Sequence, residues 1–172
     1  MRTAPWAGPG RRFLAMGMDL LMIAGWAALA GLVAVVLHLT HAVPTAASGQ
    51  DALAFLTLVL PVVLTFVRQE AGPSHATWGK HRLGMIVTDA AGRRPSTTQI
   101  VARNLVKFAP WQAAHTTVFH LLAGSTASWL LVTSIGAQLF VLLSALALVV
   151  DPQHRSLHDR LAGTRVARNA EG

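Results

Sequence analysis

The apolar positions of the chain gather into four long runs, separated by short polar stretches rich in turn-forming residues. The first run covers 13–39. Its centre, 20–37, carries no charge and approaches the roughly 20 residues a helix needs to cross a bilayer. The second covers 46–67, with Pro61 marking a kink of the kind membrane helices tolerate. The third, 98–123, is the weakest, interrupted by Arg103, Lys107, Pro110, His115 and His120, whereas the fourth, 129–150, is unbroken. The pattern predicts an all-α membrane protein, a four-transmembrane-helix bundle forming one domain over 1–172. A cytoplasmic loop, 68–97, and a cytoplasmic tail, 151–172, complete it. The first run exceeds the roughly 7–15 apolar residues of a cleaved leader and reads as a retained helix. No internal repeat is expected.

Composition sharpens this picture. Of 172 residues 53% are hydrophobic and only 12% charged, where a soluble domain carries roughly 25% charged residues. Disordered chains and most soluble enzyme folds are thereby excluded, and the absence of cysteine excludes a disulfide scaffold. Charge placement then sets the orientation. Arg2, Arg11 and Arg12 precede the first run; Arg68, Lys80, Arg82, Arg93 and Arg94 lie between the second and third, with Arg103 and Lys107 entering the third from that side. Arg155, Arg160, Arg165 and Arg168 follow the fourth, so that the connections 41–50 and 124–128 hold none of the 14 basic residues. The positive-inside rule gives four spans with both termini cytoplasmic. It also requires the weak third run to cross, since three spans would export the arginine-rich tail.

Some residues do not suit hydrocarbon. Asp19 lies two turns into the first run, where an acid costs roughly 2.5–3.5 kcal/mol unless it finds a partner or water. Arg12 is seven residues earlier, on the same helical face, and the small Ala15 between them leaves that face open to a neighbour. Three readings stand: a structural ion pair or hydrogen-bond clasp that locks the first helix into the bundle, an Asp19 that lines a path for a proton, cation or solute, or an acid near the interface that snorkels to water. Arg103 and Lys107, one turn apart, either reach lipid phosphates along their stems or, for Arg103, turn inward to Asp19 or Asp159. His115 and His120 read as satisfied polar groups of the bundle.

In the loop, 72–84 is rich in turn formers, 85–88 reads as a short strand, 89–92 as a turn, and Ser96 or Thr97 as the N-cap of the third helix. Gly79-Lys80 has the wrong spacing for a phosphate loop, with Ser74 and His81 at the places that need glycine and a hydroxyl. In the tail, His154 and His158 stand four apart, but no further ligand clusters beside them, and no metal is expected. Leu157 and Leu161 instead indicate one helical turn lying on the bundle and ended by Gly163. Residues 165–167 are expected to be extended and to pair with 85–88.

Three blocks, in this order, carry a family resemblance. They are Arg12-Phe-Leu-Ala15 followed by Asp19; residues 77–89 (TWGKHRLGMIVTD) followed, after a Gly-Arg-Arg-Pro-Ser turn, by Arg103-Asn104-Leu105; and residues 157–164 (LHDRLAGT). Together they resemble the RDD family of small bacterial membrane proteins over nearly the whole chain. Trp78 departs from the pattern, proline being commoner there, which bears on the shape of that turn. The resemblance implies a bacterial inner-membrane location. It places the family's namesake Arg, Asp and Asp on Arg12, Asp19 and Asp159, with Gly79, Lys80, Gly84, His158 and Gly163 in its cytoplasmic motifs. It raises Asp159 to a partner for Arg12 or Arg103.

The first functional expectation is transport of a cation, proton or small solute, which needs Asp19 to face a wet cavity and, with so few short spans, a homo-oligomer. The alternative is a non-transporting adaptor or scaffold that binds a protein through its loop and tail, which needs a dry, fully paired charge cluster. An arranged nucleophile, base and acid are missing from the sequence, so the chain is not expected to be an enzyme. Neither a cofactor nor a nucleic acid is expected as partner; the lipid bilayer is.

Overall fold

The computed structural model describes residues 6–169, so Arg2 lies outside the described residues. Four long helices account for most of the chain. The first, α1 (Pro9–Leu39), starts with Pro9 in its opening turn, where the fixed φ suits the helix and the missing N–H costs nothing. The second run forms one rod, Ala47–Ala71, made of α2 (Ala47–Ala54), a π-helical turn (Phe55–Val59) and α3 (Leu60–Ala71). The widened turn directly precedes Pro61. A kink was expected there, and a π turn is one of the ways a helix accommodates it.

Between this rod and the third long helix the loop is more ordered than its turn formers indicate. A short helix, α4 (Trp78–Arg82), occupies the middle of it, followed by β1 (Met85–Asp89). Next comes α5 (Thr97–Leu122), opened by Ser96 in a reciprocal capping box with Gln99. The remaining elements are α6 (Ser128–Val150), α7 (Leu157–Leu161) and β2 (Thr164–Arg168). The expected strand pairing is present: β1 and β2 form an antiparallel two-stranded sheet in which Val87 faces Val166.

Three of these helices, α1, the rod Ala47–Ala71 and α6, are long and apolar enough to cross a membrane. The fourth, α5, is 26 residues long but too polar to meet that standard. Large apolar side chains such as Leu21, Leu32, Val132 and Leu142 are exposed along α1 and α6. Such continuous apolar surface suits lipid rather than water.

Two small cores hold the bundle. Val59, Val62, Val63, Phe66 and Phe108 join the rod to α5, with Phe66 and Phe108 edge to face at 5.0 Å between ring centroids. Ala7, Ala15, Met85 and Val166 join α1 to the sheet.

No repeat is visible in the sequence, yet the order of backbone elements recurs. After α3, and again after α6, comes a five-residue helix, then a glycine, then a five-residue strand, at equal spacing. The two glycines, Gly84 and Gly163, have φ of 61° and 63°, a left-handed conformation that glycine adopts without the Cβ penalty. The strands pair about their middle residues, Val87 and Val166. The side chains differ enough to hide this: Lys80 in one unit corresponds to Asp159 in the other. Leu161 also departs from expectation. It is 69% exposed and does not lie on the bundle.

Candidate functional site

Arg12 and Asp19 share one face of α1, and α4 packs between them. A Cβ on Gly79 would stand 2.2 Å from the carbonyl oxygen of Ala15, so only glycine lets α4 come this close. The approach brings the start of α4 onto Asp19. The Gly79 N–H donates to Asp19 Oδ1 at 2.8 Å, and the Thr77 hydroxyl donates to Oδ2 at 2.6 Å. Thr77, the N-cap of α4, makes no capping bond of its own. Asp19 serves instead, satisfying an unpaired N–H and meeting the positive end of the helix.

These hydrogen bonds clasp α1 to the bundle, without a direct pairing of Arg12 and Asp19 among the described residues. Arg12 turns the other way, its Nη2 donating to Asp159 Oδ2 at 2.6 Å and its Nη1 to the His154 carbonyl. Asp159 is fully buried at the start of α7, where it forms a capping box with Ser156, accepting from the Ser156 N–H at 3.1 Å and hydroxyl at 2.7 Å. Its other oxygen receives Arg103 Nη1. Arg103, 1% exposed, faces inward rather than out to lipid phosphates, and its Nε donates to Glu70 Oε2 at 3.0 Å.

Glu70 is the site residue that sequence reasoning missed. It is completely buried at the end of α3 and accepts from Lys80 Nζ at 2.6 Å and Asn104 Nδ2 at 2.9 Å as well as from Arg103. Beside Arg68 and Gln69 it reads in sequence as a solvated helix end. Charge balance was the available signal, since Arg12, Lys80 and Arg103 converge on one region and two aspartates do not match three cations. Lys80 Nζ lies 3.4 Å from Thr77 Oγ1. This contact closes a ring: Arg12, Asp159, Arg103, Glu70, Lys80, Thr77 and Asp19, passing through α1, α7, α5, α3 and α4 and back to α1.

Every carboxylate oxygen of Asp19, Glu70 and Asp159 accepts at least one hydrogen bond. Lys107 stands apart from the ring. Its Nζ lies 4.2 Å from the Phe66 ring centroid and 5.1 Å from that of Phe108, and no carboxylate pairs with it among the described residues.

The RDD family model matches residues 6–163. The chain belongs to the RDD family. Neither the curated proteins nor the solved structures contain a match. In this RDD protein Arg12 and Asp159 are direct partners, while Asp19 joins them only through Thr77, Lys80, Glu70 and Arg103. Family membership and the apolar helices identify it as a membrane protein.

Beside the ring lies a cavity of about 280 Å³ between α1 and α6, with Arg12, Arg103, Lys107 and His158 among its walls. His158 Nε2 lies 2.9 Å from Ser156 Oγ. Burial and then the cations Arg103, Lys107 and Arg12 hold the His158 imidazole well below its ordinary pKa of 6.5. Burial likewise lowers the Lys80 ammonium, opposed by Glu70.

The histidine has a consequence for acid stability. The unfolded chain takes up the proton first, so the stability held above about pH 6.5 declines below it, by as much as about 1.4 kcal/mol per pH unit. Thermal unfolding in detergent at pH 7.5 and 5.5 is expected to show this drop, and a smaller one in His158→Gln. Equal drops in both proteins would assign the acid sensitivity elsewhere.

Proposed function

We propose that this RDD protein is a non-transporting membrane scaffold. It crosses the bacterial inner membrane four times, with α5 as the third span and both termini cytoplasmic. The ring fixes the loop and tail into one rigid platform that receives a protein partner. The observation that carries this reading is the complete engagement of the six carboxylate oxygens by protein donors. A carrier of protons or cations needs a carboxylate that exchanges its partners. A ring in which each acid is held by two or more donors favours rigidity instead. The platform's outer rim exposes Arg82, Arg93, Arg94, Arg160 and Arg168, which complement an acidic partner surface. The module holds and presents; no catalytic step is assigned to it.

The second reading, transport of a cation, proton or small solute, has two observations in its favour. Asp19 is among the residues that line the cavity between α1 and α6. A second cavity, about 430 Å³, is lined by His38, Gln50, Thr57 and His115 beside the π turn. Near it Asp51 accepts from Gln112 and Thr116, each at 2.9 Å.

Proteoliposomes under imposed Na⁺, K⁺ and proton gradients separate the two. The scaffold reading expects flux indistinguishable from empty liposomes, for the natural protein and for Asp19→Asn alike. It also expects Asp19→Asn to cost only about 1 kcal/mol, since asparagine caps helices almost as well as aspartate. Flux by the natural protein that vanishes in a folded Asp19→Asn variant would establish transport and overturn the scaffold.

A further inference from the structure

We propose that the cavity between α1 and α6 is a binding site for the headgroup of an anionic phospholipid, with Lys107 as the residue that holds its phosphate. Four cations, Arg12, Lys80, Arg103 and Lys107, gather at this end of the bundle against three carboxylates, Asp19, Glu70 and Asp159. The ring consumes three of each. Lys107 is the surplus cation, steadied along its stem by Phe66 and Phe108 but without a counter-charge among the described residues. A cation placed one turn inside the ring, next to lipid-facing helices, is costly unless an anion joins it.

The walls say which anion. Phe13 and Met16 of α1 and Phe140, Val141 and Leu148 of α6 form the apolar sides of the cavity. Phe13, Met16 and Val141 are themselves exposed on the bundle's outer surface, so the cavity is continuous with the surface that meets acyl chains. The floor carries the four cations and one acid, Asp19, whose two oxygens are already held by Thr77 and Gly79, together with Ser144 and His158. An occupant therefore needs negative charge at one end and hydrocarbon at the other. A volume of about 280 Å³ is at the lower limit of ordinary ligand pockets. It suits a phosphate and the first atoms around it, with the chains left in the bilayer. An inorganic anion has no use for the apolar walls, and a zwitterionic lipid brings a second cation to a floor already in cationic surplus. The site stands or falls independently of whether the protein transports.

The test uses the full chain, purified and stripped of lipid in an uncharged detergent. It is titrated in parallel with short-chain phosphatidylglycerol, short-chain phosphatidylcholine and inorganic phosphate, with thermal unfolding as the readout. Phosphatidylglycerol is expected to raise Tm in a saturable manner, and the other two to leave it unchanged. Lys107→Gln is expected to weaken the phosphatidylglycerol response about tenfold, the loss of one charged hydrogen bond, without lowering the lipid-free Tm. Ala145→Phe, which fills the cavity from α6 and leaves every charge in place, is expected to abolish the response; should Lys107→Gln fail to fold, this variant decides alone. Equal responses to the two lipids, a full response to inorganic phosphate, or a phosphatidylglycerol response that survives in a folded Lys107→Gln or Ala145→Phe would each overturn the proposal.

Discussion

Arg103→Leu is expected to reduce the stability of the protein by about 3–5 kcal/mol, the usual cost of removing one partner from a buried ion network. Arg103 joins two carboxylates that have no access to water, Glu70 and Asp159, and also donates to Thr164 Oγ1 at 3.2 Å. Its loss leaves Asp159 to Arg12, and Glu70 to Lys80 and Asn104, so that the three acids of the ring face only two ring cations. Against a total stability of about 5–15 kcal/mol, little folded protein should accumulate. Arg103→Lys is expected to recover only part of this, because one ammonium cannot reproduce a guanidinium that spans both acids. Adding Glu70→Gln to Arg103→Leu should recover more, since it removes the stranded charge. Thermal unfolding in detergent and the yield of monodisperse protein measure all three. An Arg103→Leu protein that unfolds within about 2 °C of the natural one would mean that the network contributes little.

The second large effect belongs to a residue with no side chain. Gly79→Ala places a methyl group 2.2 Å from the Ala15 carbonyl oxygen and 3.0 Å from Asp19 Oδ1. A backbone oxygen inside a long helix cannot step aside, so α4 must retreat and both hydrogen bonds to Asp19 are lost. Overpacking costs about 1–3 kcal/mol and the lost cap about 1 more, for a combined loss of about 3 kcal/mol. Ala15→Gly makes a discriminating companion. The clash is with the carbonyl of Ala15 and not its methyl, so the double variant should be no more stable than Gly79→Ala alone. Rescue by Ala15→Gly would show that the helices meet differently. Gly84→Ala provides a scale, with about 1–2 kcal/mol expected from its left-handed backbone alone.

Much of this architecture is written in the sequence, because the forces that set it act over short stretches. Runs of apolar residues identify the long helices to within a few positions, and Ser96 with Gln99 marks the start of α5. The αL glycine ends α7 where the tail's turn chemistry places it. The small sheet is legible as two extended segments, although its register matches no sequence motif. The helix α4 is hidden because its sequence, WGKHR, is held through Gly79 by an acceptor 60 residues away in the chain, Asp19, and not by its own cap.

The site is legible one residue at a time but not as an arrangement. Helical spacing correctly puts Arg12 and Asp19 on one face, yet the same reasoning pairs them with each other. It has no means of knowing that α4 would pass between. Arg103 was open to two readings because a long side chain near a helix end can turn outward or inward at similar cost, and only the position of Glu70 decides it. Glu70 itself has no local signature. Its role exists only once Lys80, Arg103 and Asn104 have been brought to it from other elements.

The most direct test of the ring as one structural unit is a double-mutant cycle across the pair of Lys80 and Glu70, whose Nζ and Oε1 lie 2.6 Å apart. Lys80→Met, Glu70→Gln and the combined variant are unfolded reversibly in detergent, and their losses of stability compared. Charges that act through one another should make the double variant lose less than the sum of the singles, by more than about 1 kcal/mol. Losses that add within about 0.5 kcal/mol would contradict a ring held together by its internal pairing.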